Sequence, residues 1–339
     1  MLVIAVEVEA PKNTGHMNEG DAMSKKEFKS AAVIGTGVMG VGIVQGFAEA
    51  GLNVKMIARR QESLDQGMSL IKANLALFKE FNLLKEPAEA IQSRIEPIVT
   101  ADQAAACKGI DFVLETIQEI YDAKRVIFTA LDLLPEDVII ASNTGSMTMD
   151  KLTDGLKTQH RMLGVHYFNP AHIIPAVEIH KNAKTTQEAV ERTRELMLKA
   201  GKKPVVVLKS LPGFIINRLT GAMEREIDNL LDEKVVTPED LDIAVKASYG
   251  FRLSCMGPME AEDMIGLDTA ARVSGNVYKV LSNRTEASPE LIEKVARGEL
   301  GIKSGKGWYD YTGQTREQVN DKINRRLLKQ LALYRSVEK

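Results

Sequence analysis

Between residues 30 and 208, short apolar runs alternate with longer amphipathic stretches; beyond that point the short runs stop. The first run, Ser30-Ala31-Ala32-Val33-Ile34, passes through a glycine-rich turn into a small-residue helix that ends at Ala50-Gly51. Asn53-Val54-Lys55-Met56-Ile57 reads as the next strand, and over 61–84 the apolar residues Leu64, Met68, Ile71, Leu75 and Phe78 recur at helical spacing. Further strand-like runs follow at 95–99, 112–116 and 138–141, with a helix over 121–134 before the last of them. Met162-Leu163-Gly164-Val165 runs into His166, and Ala176-Val177-Glu178-Ile179 follows a loop marked by Pro170 and Pro175. Thr185-Thr186-Gln187-Glu188 starts another helix, and 204–208 is the last strand. Short unalternating strands joined by helices predict an α/β domain with a parallel sheet. After the hinge Lys209-Ser210-Leu211-Pro212-Gly213 only helical patterns remain, opened by Thr237-Pro238, Gly257-Pro258 and Ser288-Pro289 and closed by a charged helix over 315–336. The expected organisation is an N-terminal extension over 1–29, an α/β domain over 30–210 and an all-helical domain over 211–339.

Composition narrows the function classes. With 44 basic and 46 acidic residues and no basic tract, nucleic acid is not an implied partner. Cys107 and Cys255 stand far apart without metal-ligand spacing, so neither a disulfide framework nor a metal site is expected. No apolar run approaches the ~20 residues that cross a bilayer, and Glu7 and Glu9 interrupt the only apolar N-terminal stretch. A soluble cytoplasmic protein without a membrane partner is the expectation.

Candidate chemistry begins at Gly35-Thr36-Gly37-Val38-Met39-Gly40, between a strand and a helix. In a dinucleotide-binding turn Gly35 allows the tight bend, Gly37 lets the backbone approach a pyrophosphate, and Gly40 lets helix pack on strand. Val38 and Met39 then open a helix whose free N–H groups meet the diphosphate. At the end of the second strand an NAD site usually carries Asp or Glu for the ribose hydroxyls. Here stand Ala58-Arg59-Arg60, and two guanidiniums suit a 2′-phosphate, so NADP is favoured with NAD as the alternative. Ligands in open α/β sheets sit beyond the strands' carboxyl ends, which selects Glu119, Asn143 and the hydroxyls of 142–146. If the chain leaves one strand at His166 and re-enters a neighbour at Glu178, the carboxylate can fix the imidazole tautomer and make a proton-transfer base.

These segments, with Ser142-Asn143-Thr144, His166-Tyr167-Phe168-Asn169-Pro170, Pro212-Gly213-Phe214-Ile215-Ile216-Asn217-Arg218 and Lys303-Ser304-Gly305-Lys306-Gly307-Trp308-Tyr309, resemble the 3-hydroxyacyl-CoA dehydrogenase family over about residues 30 to 312. The resemblance implies a Rossmann-type dinucleotide-binding domain followed by an all-helical domain that commonly forms a homodimer. It implies His166 as catalytic base, Glu178 as its partner, Asn217 at the catalytic centre, Glu119 and Lys124 at the cofactor, and Asn143 below the nicotinamide. Two positions depart from the family pattern: Ala58 replaces the Asp, and Gly145 replaces the Ser that bonds the substrate oxygen. Ala171-His172-Ile173-Ile174-Pro175 also looks like the non-CoA branches, which act on hydroxy acids or a hydroxymethyl-aryl carboxylate. An interconverter of 3-hydroxyacyl- and 3-ketoacyl-CoA is the first expectation and a non-CoA dehydrogenase the alternative. A catalytically impaired dinucleotide-binding protein, supported only by Gly145, is the third.

Overall fold

The computed structural model of the protein describes residues 27–337, so nearly all of the expected N-terminal extension lies outside the described residues. In chain order the first part comprises β1 (Ser30–Ile34), α1 (Val38–Glu49), β2 (Asn53–Ala58), α2 (Gln61–Glu80), α3 (Ala88–Gln92), β3 (Ile95–Val99), α4 (Gln103–Ala106), β4 (Phe112–Glu115) and α5 (Tyr121–Leu131). It continues with β5 (Ile139–Ser142), α6 (Met149–Thr153), β6 (Met162–Tyr167), β7 (Ala176–Lys181), α7 (Gln187–Lys199) and β8 (Lys203–Val206). The strands form one sheet in the order β3-β2-β1-β4-β5-β6-β7-β8. Every neighbouring pair is parallel except β6 and β7, which run antiparallel with His166 directly opposite Glu178.

Unbroken apolar runs suit strands covered on both faces, and β4, β5 and β6 are buried throughout. One apolar core joins α1, α2 and α7 to one side of the sheet; a second joins α5 and α6 to the other. The chain reverses direction across the sheet between β1 and β4, the switch point where such folds open a ligand crevice. The helix read over 121–134 stops at Leu131, where Asp132 instead accepts the Lys157 and Thr158 amides.

The second part is helical, as the pattern predicts: α8 (Ile216–Asp232), α9 (Pro238–Ala247), α10 (Tyr249–Leu253), α11 (Pro258–Ile265), α12 (Leu267–Val277), α13 (Pro289–Ala296) and α14 (Arg316–Val337). Thr237 and Ser288 cap α9 and α13 ahead of Pro238 and Pro289. Among the described residues beyond β8, β pairing is limited to isolated bridges between Gly301 and Lys306 and between Lys306 and Asp310. The helices α9 to α13 bury no residue. The charged α14 returns to the first part, where Leu328 and Leu331 pack on Phe78 and Ile173 and Arg325 pairs with Glu80. No helix among the described residues is long and apolar enough to cross a membrane.

Candidate active site

The glycine-rich turn meets the steric demands of a dinucleotide. Gly35 adopts φ 114°, a region that L side chains rarely enter. A Cβ on Gly40 would come within 2.0 Å of the Gly35 carbonyl oxygen, so helix and turn touch backbone to backbone. Gly37 has nothing within 4 Å of its would-be Cβ, and α1 begins there without a side-chain cap. Its first amides are therefore open to an anion, with Val38 exposed and Met39 half-buried beside them. At the end of β2, Ala58 is buried while Arg59 and Arg60 are exposed, Arg60 being the last residue before α2.

A polar floor lies across the switch point. Asn143 Oδ1 accepts the Tyr167 amide at 2.8 Å, tying the loop after β5 to the residue after His166. Glu119 accepts the Ser146 hydroxyl at 2.8 Å and the Thr144 hydroxyl. Burial alone would raise its pKa, but these bonds and Lys124 hold it below the ordinary carboxylate value. Lys124 itself is 1% exposed, its Nζ 2.8 Å from Glu115 and 3.3 Å from Glu119. The structure thus places Lys124 beneath Glu119, as a buried support for the residue that faces the crevice. Glu115, which the sequence reading did not single out, is fully buried and also accepts Ser142 Oγ at 2.6 Å and the Ile117 amide at 2.6 Å.

The hairpin of β6 and β7 brings His166 and Glu178 together across twelve residues of sequence. His166 Nδ1 lies 2.8 Å from Glu178 Oε2. The other carboxylate oxygen accepts the amides of Ile215 and Ile216, each at 2.9 Å, so Glu178 also anchors the N-terminal end of α8. Burial would raise the Glu178 pKa, but His166 and the two amides outweigh it and keep the group ionised. A carboxylate on Nδ1 assigns the proton there and leaves the Nε2 lone pair free. That nitrogen faces Gly145: a Cβ at Gly145 would lie 2.8 Å from His166 Nε2 and 3.2 Å from Asn217 Nδ2. Asn217, on the first turn of α8, donates to the Gly145 carbonyl at 3.0 Å. The three residues expected at the catalytic centre therefore converge, on elements from both parts of the chain.

Two loop contacts were not legible in the sequence. Lys202 Nζ donates to the carbonyls of Ala171 and Ile174 at 2.5 and 2.8 Å and pins the loop between β6 and β7. Burial pushes its pKa down to about 8. His172 lies in the same loop. Its ring packs on Phe78 of α2 at 5.9 Å, and burial lowers its pKa to about 4, so it carries no charge at neutral pH.

Among the described residues no group of three or more His, Cys, Asp or Glu side chains is placed to hold a metal. Residues 30–211 match the model of the 3-hydroxyacyl-CoA dehydrogenase NAD binding domain, and residues 213–311 match that of the 3-hydroxyacyl-CoA dehydrogenase C-terminal domain. The chain is 33% identical to 5-formyl-3-hydroxy-2-methylpyridine 4-carboxylate 5-dehydrogenase of Mesorhizobium japonicum, covering 89% of this chain and 96% of that one. It is 31% identical to 3-hydroxybutyryl-CoA dehydrogenase of Clostridioides difficile, covering 83% and 98%. A crystal structure of the pyridine carboxylate dehydrogenase, described as an NAD+ dependent dismutase, superposes with a TM-score of 0.82 at 32% identity, covering 92% and 99%.

Proposed function

The chain belongs to the 3-hydroxyacyl-CoA dehydrogenase family, NAD-dependent oxidoreductases acting on CH–OH groups, and from that premise we propose that it interconverts a carbinol and a carbonyl with His166 as base and acid. The observation that carries this reading is His166 itself, bonded to Glu178 through one nitrogen and open through the other. In oxidation His166 Nε2 takes the hydroxyl proton, and Glu178 stabilises the imidazolium that forms. A dinucleotide held at the turn of Gly35, Gly37 and Gly40 and the open first amides of α1 would supply the acceptor for the hydride of the carbinol carbon. Asn217 Nδ2 orients the substrate oxygen beside His166, and in reduction the imidazolium returns the proton to the carbonyl oxygen.

The first substrate class is a 3-hydroxyacyl-CoA and its 3-ketoacyl-CoA product. One observation favours a second class, a free hydroxy acid or hydroxymethyl-aryl carboxylate: Gly145 offers no hydroxyl to a 3-keto oxygen. At the adenosine end, Ala58 supplies no carboxylate for ribose hydroxyls and Arg59 and Arg60 are exposed, which supports NADP(H) at least on a par with NAD(H). One assay addresses all three points: reduction of acetoacetyl-CoA and of a formylpyridine carboxylate, each with NADH and NADPH. Faster turnover of the thioester overturns the second class, and the reverse overturns the first. A strong NADH preference would mean that the arginines do not reach a 2′-phosphate. No nucleotide oxidation with either carbonyl would overturn the catalytic reading.

The helical part supports a homodimer. Leu219, Met223, Ile243, Phe251, Val273 and Val277 are all exposed on helices α8 to α12, and large apolar side chains left in water suit burial against a second copy. Sedimentation equilibrium is expected to return twice the chain mass; a monomer at micromolar concentration would refute the assignment.

A further inference from the structure

Two residues beyond Glu178 on β7, His180 points to the same face of the sheet and pairs across to Gly164 of β6. Its ring fills the room above that glycine, where an added Cβ would come within 2.0 Å of His180 Cε1 and Nε2. On the other side it stacks on Phe214, with centroids 3.7 Å apart and planes inclined by 27°. His180 is fully buried, and neither ring nitrogen reaches a partner in hydrogen-bonding geometry. Burial, aided by His166, pushes its pKa down to about 3, an effect that Glu178 and the Thr144 backbone only partly offset. The ring is therefore neutral, and its two unmatched buried nitrogens carry a desolvation cost that no hydrogen bond offsets. An aliphatic side chain would avoid that cost but would lack a flat face.

The flat face meets a strained residue. Phe214 has φ 47°, a left-handed conformation that strains a residue carrying a Cβ. Its ring is gripped between His180 and, at 5.9 Å, His166. The next three residues all act in the site: the Ile215 and Ile216 amides hold Glu178 Oε1, and Asn217 reaches the Gly145 carbonyl. The angle at which Phe214 leaves the linker thus sets where these groups arrive.

We propose that His180 is a positioning residue: its stack on Phe214 fixes the entry of α8 and so holds Glu178 and Asn217 in register with His166. The proposal rests on the reading of His166 as the base. A misplacement of about 1 Å can cost ~100-fold in rate, and His180→Ala is expected to lower kcat by about 10–100-fold with nucleotide KM within about twofold. Amide exchange at Ile215 and Ile216 should accelerate by about tenfold or more, while β1 and β4 amides keep their protection. Phe214→Leu, which breaks the stack from the other side, should reproduce both effects. His180→Phe keeps the flat face and should return kcat to within about threefold of the wild type. Unchanged exchange at Ile215 and Ile216 in His180→Ala overturns the proposal, as does a fully active Phe214→Leu. A His180→Phe variant that folds and is as impaired as His180→Ala overturns it too, since the nitrogens would then matter rather than the face. If the wild type itself reduced neither carbonyl, the catalytic reading would fail, while the exchange experiment would still decide the role of His180.

Discussion

His166→Gln is expected to lower kcat by about 10²–10⁴-fold, the usual worth of a positioned general base, while nucleotide affinity stays within about threefold. Glutamine approximates the imidazole in reach and can still donate to Glu178 Oε2, so the hairpin and the anchor at the start of α8 should persist. What it lacks is a basic nitrogen where His166 Nε2 now stands. Asn217 is nearby but its amide accepts no proton, and His180 is buried with its pKa pushed down to about 3, too weak a base to replace it. The glycine-rich turn of Gly35, Gly37 and Gly40 joins β1 to α1 and is untouched by the change. Single-turnover measurements of nucleotide oxidation, paired with a fluorescence titration of nucleotide binding, separate the two effects. Turnover within tenfold of the wild type would show that the proton goes elsewhere.

Gly145→Ser has the next largest expected effect, and its direction runs against the family pattern. Introducing the hydroxyl that the family resemblance implies should lower activity, because the new Cβ would sit 2.8 Å from His166 Nε2 and 3.2 Å from Asn217 Nδ2. Neither neighbour can easily retreat. His166 is bonded to Glu178 and wedged edge-on against Phe168 at 4.6 Å. Asn217 stands on a helix whose first amides are fixed to Glu178. The loop is held as well, through Thr144 and Ser146 to Glu119 and through Asn143 to the Tyr167 amide. Some catalytic group must shift by several tenths of an ångström, and a loss of about 100-fold in kcat is expected. Gly145→Ala should lose as much, since the clash belongs to the Cβ and not the hydroxyl. Steady-state kinetics on acetoacetyl-CoA provides the check. A serine variant faster than the wild type would mean that the loop yields and that the missing hydrogen bond outweighs the contact.

Much of the scaffold follows from neighbouring residues. Short apolar runs flanked by glycine and proline predict strands, and β1 to β8 are found with ends shifted by a few residues, β4 to β6 buried throughout and the edge strands β3 and β8 partly exposed. The GxGxxG turn is local in part: a Cβ at Gly40 would strike the Gly35 carbonyl five residues back, whereas the room at Gly35 is closed by the Thr116 carbonyl just past the neighbouring strand β4. His166 and Glu178 were legible for a related reason. Two proline-marked loop ends joining adjacent apolar runs leave few ways to fold other than a hairpin, and a hairpin places the two residues opposite one another.

The rest depended on segments far apart in sequence. No pattern around Lys124 shows that Glu115 and Glu119 enclose it, nor does anything near Lys202 show that it holds the carbonyls of Ala171 and Ile174. His172 and His180 look like ordinary loop and strand histidines until burial strips both of charge and Phe214 is laid against one of them. The return of α14 to Phe78 is similarly invisible in its own charged periodicity. Sequence by itself determined the sheet, the glycine-rich turn and the meeting of His166 with Glu178, because backbone sterics and hydrophobic periodicity act over a few residues. Which polar groups lose water, and which distant partner meets each of them, was decided only by the tertiary structure, because desolvation and side-chain contact arise when remote segments pack together.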